Sequence, residues 1–313
     1  MTSPLAFATP AGAPAWKRWL WYSPLARILF FSLGFFLLSR VVGFIDHQLF
    51  SIATLKTPWG DAEHYLSMFV LSSVLVYLLL VKFIERRRMA ELASRQWPGL
   101  LKGIAAGFLL FTAVVGLLWL TGSYHVTGFN PHADWLLALL TVGLGAGIGE
   151  EIMFRGVLFR ITEEGLGTWG AVLISALFFG AAHIMNPAAT LWSSAAITVE
   201  AGLLFGMLYH VTRSLWPCIG LHTAWNFTQG TVYGIPVSGT HADSWLVSNR
   251  TGPDWLSGGT FGAEASVVAL SLCTLCTVVL IVVALRRGSI VQPSWRRKKS
   301  EALSAAYMVK ATS

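Results

Sequence analysis

An all-α polytopic membrane protein, with about eight transmembrane helices and both termini cytoplasmic, is the fold class that the sequence predicts. Three observations predict it. The 313 residues are 55% hydrophobic, with a mean hydropathy of +0.62. Only 12% are charged, about half of the ~25% usual in soluble globular chains. The apolar residues fall in continuous runs of roughly the 20 residues that a helix needs to cross a bilayer. Transmembrane strands would instead show alternating segments of about 10 residues.

Residues 1–25 read as a cytoplasmic lead-in with several Pro and Trp. The first run, 26–45, exceeds a signal-peptide core of roughly 7–15 residues and is followed by no small-residue cleavage site, so it reads as a span. A polar loop at 46–64 leads to the second span, 65–84, and a basic loop at 85–99 to the third, 101–121. Four more follow at 134–158, 169–186, 194–212 and 214–231, the last being the least apolar. The stretch 232–262, with Gly, Pro, Ser and Asp, is the longest external connection, and 264–285 is the eighth span. Residues 286–313 form a basic cytoplasmic tail. One membrane domain, 26–285, accounts for the chain, and no internal repeat of the transporter kind is visible.

The placement of charge supports this plan. Net charge is +7, and basic residues favour the cytoplasmic side of membrane proteins. With a cytoplasmic N-terminus, 19 of the 22 basic residues fall inside; Lys56 and Arg250 fall outside, and Arg40 lies in the first span. No basic stripe stands apart from the loops, which argues against nucleic acid as a partner. Cys273 and Cys276 form a Cys-x-x-Cys inside the eighth span. A redox motif wants a βαβ context, so these residues and Cys218 read as small packing residues, and no disulfide framework exists.

Ionisable groups inside spans cost about 2.5–3.5 kcal/mol each on insertion scales and mark functional sites by default. Arg40, near a helix end, reads as snorkelling, and His210 as interfacial. Glu200 reads either as a packing residue with a polar partner or as support for a site. The stretch GIGEEIMFRG differs from these. Glu151 and Arg155 are four apart with the acid first, the favoured order for a helical ion pair. Glu150 points about 100° away and meets Phe154 at i+4. Glycines at 143, 145, 147 and 149 let neighbouring helices approach closely. Phe179 and His183 share a face of the fifth span, as do His222 and Asn226 in the seventh. At ~1.5 Å per residue, Glu150 lies about 18 Å deep, His183 about 22 Å, His222 about 12 Å and Asn226 about 18 Å. They share one slab of the bilayer.

Two chemistries suit such a set. His183 and His222 are candidate ligands for zinc or another divalent metal, with Glu150 as the base beside a metal-bound water. Alternatively, Glu150 and a histidine activate water directly. In the metal-assisted version Asn226 would hold an oxyanion through its amide N–H. The His-Glu-x-x-His zinc motif is absent.

Glu-Glu-x-x-x-Arg at 150–155, Phe-x-x-x-His at 179–183 and His-x-x-x-Asn at 222–226 occur in this order with FRGVLFR after the first motif. The ordered set resembles the CAAX protease and bacteriocin-processing family, the Abi or type II CAAX prenyl endopeptidase-like intramembrane proteases, over about 134–231. The resemblance implies an eight-helix fold and peptide-bond hydrolysis near the bilayer. It implies Glu150 as the water-activating carboxylate, completed by His183, His222 and Asn226 and supported by Glu151, Arg155 and Phe179. The family is described both as a metalloprotease and otherwise, so the cofactor stays open. The partners expected are the lipid bilayer and a membrane-associated peptide or protein substrate, lipidated in some relatives, and the expected site is the bacterial inner membrane. Competing readings are a proton-coupled transporter and a non-catalytic scaffold or immunity protein.

Overall fold

The computed structural model describes residues 5–297 and 299. Six of its helices are long and apolar enough to cross a membrane, so the chain is an all-α, multi-pass membrane protein. Helix α1 is Pro24–Leu49, α2 is Pro58–Glu85, α3 is Pro98–Leu120, α4 is Trp135–Met185 and α5 is Leu191–Thr212. Helix α6, Trp216–Phe227, continues through a wider turn over Thr228–Val232. Helix α7 is Val267–Arg286. Several starts carry the expected signals. The Ser23 and Ser266 hydroxyls accept the free N–H groups of Ala26 and Ala269, and Pro24 and Pro98 open their helices at the position where proline costs nothing.

The second span begins at Pro58, earlier than the expected 65. Thr57 caps it, accepting from the Gly60 N–H, so the polar residues 58–64 extend the helix. The expected fourth and fifth spans are one 51-residue helix in α4. It changes direction at Gly167 (φ 73°, ψ −179°), a left-handed conformation that only glycine adopts freely. A Cβ there would stand 2.5 Å from the Val291 carbonyl. The segment after α7 docks against this corner. The Thr168 N–H donates to that carbonyl at 3.0 Å, and the Val291 N–H to the Thr168 hydroxyl at 2.9 Å. The start of the expected tail is therefore held in place; residues 298 and 300–313 lie outside the described residues.

The long connection holds structure that its Gly/Pro/Ser composition hides. Strands β1 (Tyr124–Phe129) and β2 (Leu246–Arg250) pair antiparallel from Tyr124↔Arg250 to Phe129↔Leu246. Buried apolar residues form a main core around Tyr77, Phe159, Met207 and Leu215, and a second around Phe111, Leu118 and Trp225. Helices α3 and α6 pack backbone to backbone at Gly103, Gly107 and Gly220, where a Cβ would come within 2.4 Å of a facing carbonyl oxygen.

One end of the molecule is closed by buried ions. Arg27 bonds Glu85 at 2.7 Å and also Glu164; Arg160 bonds Glu85 at 2.9 Å; Arg87 bonds Glu85 and Glu91 at 2.6 Å. His210, expected at the interface, belongs to a similar cluster. It is buried, with Nδ1 at 2.9 Å from Glu163, which also takes Arg213, and Nε2 at 3.1 Å from the Ser289 hydroxyl. Helix α4, through Glu163, and the post-α7 segment, through Ser289, enclose it because both carry polar partners at that level. Arg40 is exposed, over the ring of Phe36.

Candidate active site

Helix α4 carries the two adjacent carboxylates on a regular turn, Ala146–Glu151, between two wider-wound π stretches, Leu139–Gly145 and Ile152–Phe159. Such stretches shift the phase of a helix and recur at functional sites. The glycines act as close-approach positions. A Cβ on Gly147 would lie 2.4 Å from the Thr223 hydroxyl of α6, and one on Gly149 would strike the Phe69 ring of α2 at 2.3 Å.

Glu151 and Arg155 are fully buried and paired at 2.9 Å. The guanidinium also donates to the Ala201 carbonyl at 3.1 Å and lies over the rings of Phe179 (4.4 Å) and Phe205 (5.0 Å). The same Glu151 oxygen accepts the Nδ1–H of His222 at 2.9 Å. One buried acid thus anchors a cation and a histidine from two helices. Phe179 packs against the His183 ring at 4.8 Å between centroids. Its carbonyl accepts the Nδ1–H of His183 at 2.8 Å. A carbonyl only accepts, so the proton sits on Nδ1, and Nε2 of the neutral ring presents a lone pair.

Both free Nε2 atoms face Glu150: His183 and His222 each stand 3.9 Å from its Oε2. That oxygen is buried and has no hydrogen-bond partner among the described residues. The gap exceeds a direct hydrogen bond, but a water about 2.8 Å from each end spans it. Asn226 lies one turn beyond His222 and spends one amide N–H on the Val142 carbonyl at 2.8 Å. A primary amide has two such protons, so one remains.

Glu150, His183, His222, Asn226 and Phe179 all line one cavity of about 610 Å³, which reaches Pro58 and Asp61 at the start of α2. Glu151 and Arg155 stand behind its wall. Two wall residues had weaker sequence signals. Glu200 lies on a further π stretch, Thr198–Leu203, and its Oε2 lacks the polar partner a packing role would require. Glu264, read only as the start of the last span, accepts the Ser238 N–H at 2.8 Å and lines the same cavity. The signal was its position: a carboxylate in the otherwise uncharged FGAEASVV.

A zinc site fits these residues poorly. Catalytic zinc takes three protein ligands, and no group of three or more His, Cys, Asp or Glu among the described residues is placed to hold a metal. The third donor in reach, Glu150 Oε2, is 3.9 Å from each nitrogen, wider than the ~3.3 Å edge of a tetrahedron with ~2.0 Å bonds.

Fold and cavity together define a multi-pass membrane protein with an acid and two imidazoles around a sheltered pocket. The family model described as Type II CAAX prenyl endopeptidase Rce1-like matches residues 132–228, which run from α4 through α6 and carry all three motifs. The resemblance read from those motifs holds over this segment, and the match supports a protease. No curated protein matches the chain.

Proposed function

We propose that the chain is an intramembrane endopeptidase that hydrolyses a peptide bond of a membrane-associated protein or peptide, lipidated tails included. In this reading α4 crosses twice and α6 once, giving eight passes of the bacterial inner membrane with both ends on the basic, cytoplasmic side. The observation that carries the proposal is the unpartnered Glu150 Oε2 facing two imidazole nitrogens, 3.9 Å from each.

A water held between Glu150 and the bare Nε2 of His183 attacks the scissile carbonyl carbon while Glu150 takes its proton, as a general base. The carbonyl oxygen becomes an oxyanion. It accepts from the second amide N–H of Asn226 and from Nε2–H of His222, present as an imidazolium balanced by Glu151. Glu150 then passes the proton to the departing nitrogen as the C–N bond breaks, leaving a carboxylic acid and an amine. Glu151 and Arg155 hold His222 in place, and no step runs through a metal.

The test is cleavage of quenched membrane-peptide substrates by the purified protein in nanodiscs, beside its Glu150→Gln variant. Cleavage lost in the variant, with insertion retained, supports the proposal. Glu150-dependent ion flux in proteoliposomes without proteolysis would replace it with the transporter reading.

A further inference from the structure

Outside the Glu150 cluster, the same cavity has a second polar pole. Its wall carries four carboxyl groups, those of Asp61, Glu150, Glu200 and Glu264, and among the described residues no lysine or arginine lines it. Glu200 is 2% exposed, and its Oε2 is shielded from solvent without a hydrogen-bond partner. A buried polar atom left unpaired carries a desolvation cost, and within a membrane such a group marks a ligand or ion path.

Glu264 is held rigidly, by the Ser238 N–H at 2.8 Å and the Ser238 hydroxyl at 3.1 Å. Glu200, Glu264 and His183 line the same cavity. The pole therefore adjoins the proposed reacting centre. Arg250 does not line the cavity, and its guanidinium donates to the Ser257 carbonyl at 2.8 Å. Two acids that face one enclosed space repel each other unless a proton or a cation lies between them.

We propose that Glu200 and Glu264 form a cation-accepting subsite that receives a lysine or arginine side chain of the substrate beside the scissile bond. This rests on the peptidase reading for the word substrate, but not for binding. An ammonium or guanidinium on an apolar stem matches what the wall offers: unpaired carboxylate oxygen within an apolar lining.

The test uses the full-length Glu150→Gln protein in phosphatidylglycerol nanodiscs, with binding read by fluorescence anisotropy. The probes are a hydrophobic peptide with one lysine and its norleucine counterpart. The lysine peptide is expected to bind at least tenfold tighter, and adding Glu200→Gln, alone or with Glu264→Gln, is expected to abolish the difference. Equal affinities, or a preference untouched by these substitutions in variants that melt like the parent, would overturn the subsite. Repeating the measurement in phosphatidylethanolamine nanodiscs is expected to keep the preference; its loss would give the pole to an amine headgroup and overturn the assignment to substrate. Binding is read without hydrolysis, so the two readings fail separately. A lysine preference with no cleavage of either peptide by the unmodified protein sinks only the peptidase. Glu150-dependent cleavage of both peptides at equal rates sinks only the subsite.

Discussion

At the scale of residues, the site depends on one acid left bare and one acid shared. Glu150 Oε2 has no hydrogen-bond partner among the described residues, whereas Glu151 serves both Arg155 and His222 through one oxygen. Removing the bare acid should touch chemistry alone. Glu150→Gln is expected to lower kcat by about 10²–10⁴ with an unchanged melting temperature; retained turnover would show that another group takes the proton. Removing the shared acid should touch folding as well. Glu151→Ala leaves the fully buried Arg155 uncompensated, a loss of about 3–5 kcal/mol. Thermal unfolding in nanodiscs should reveal it, and a melt identical to the parent's would refute the anchoring role. His183→Ala and His222→Ala should leave the metal content of the purified protein unchanged, because the donor set falls short of a zinc site. Stoichiometric metal lost in both variants would reverse that conclusion.

Among the elements, α4 does most to position the site. Its glycines admit Thr223 of α6 and Phe69 of α2 to van der Waals range, and its π stretches turn Glu150 toward the cavity and Glu151 toward the protein interior. Gly147→Ala places a methyl group 2.4 Å from the Thr223 hydroxyl. The helices must then separate, at about 1–3 kcal/mol, carrying His222 away from Glu150. Reduced kcat with a lowered melting temperature is the expected result, and an unaffected enzyme would mean that the interface has slack. The second turning point is Gly167, where the chain needs a left-handed residue and the Val291 segment fills the space a side chain would occupy.

For the whole molecule, the two ends are built differently. The basic end is closed by the Arg27, Glu85, Arg87, Glu91 and Arg160 network, while the cavity reaches Asp61 at the start of α2. Glu91 lies outside the spans. Burial would raise its carboxyl, but the hydrogen bonds and charge of Arg87, with the charge of Arg160 and the Tyr77 hydroxyl, hold it below its ordinary 4.5. The folded state then binds fewer protons at this group than the unfolded state. Its stabilisation is complete at neutral pH and is lost as pH falls below that ordinary value toward the folded one. Acidifying from pH 7 to pH 4 should lower the melting temperature less in Glu91→Gln than in the parent protein. Parallel melting curves would show that the network bears no titrating load there.

The sequence by itself determined the class of molecule and the residues from which its candidate site is built. Apolar runs of bilayer length force helices, since lipid offers backbone groups no partner, and charges within those runs stood out as the groups with most to explain. The acid, the two histidines, the amide and the Glu151–Arg155 spacing were legible for that reason. The antiparallel β1–β2 pair was not, because strand pairing across more than 100 residues leaves no local period in a Gly/Pro/Ser-rich connection. Nor were the burial of His210, the docked Val291 segment or the bare carboxylate of Glu200. Each depends on what faces a side chain from another helix, and helical spacing fixes a residue's direction on its own element only. Tertiary packing alone decided that Glu150 faces both imidazoles and that Glu200 and Glu264 share their cavity.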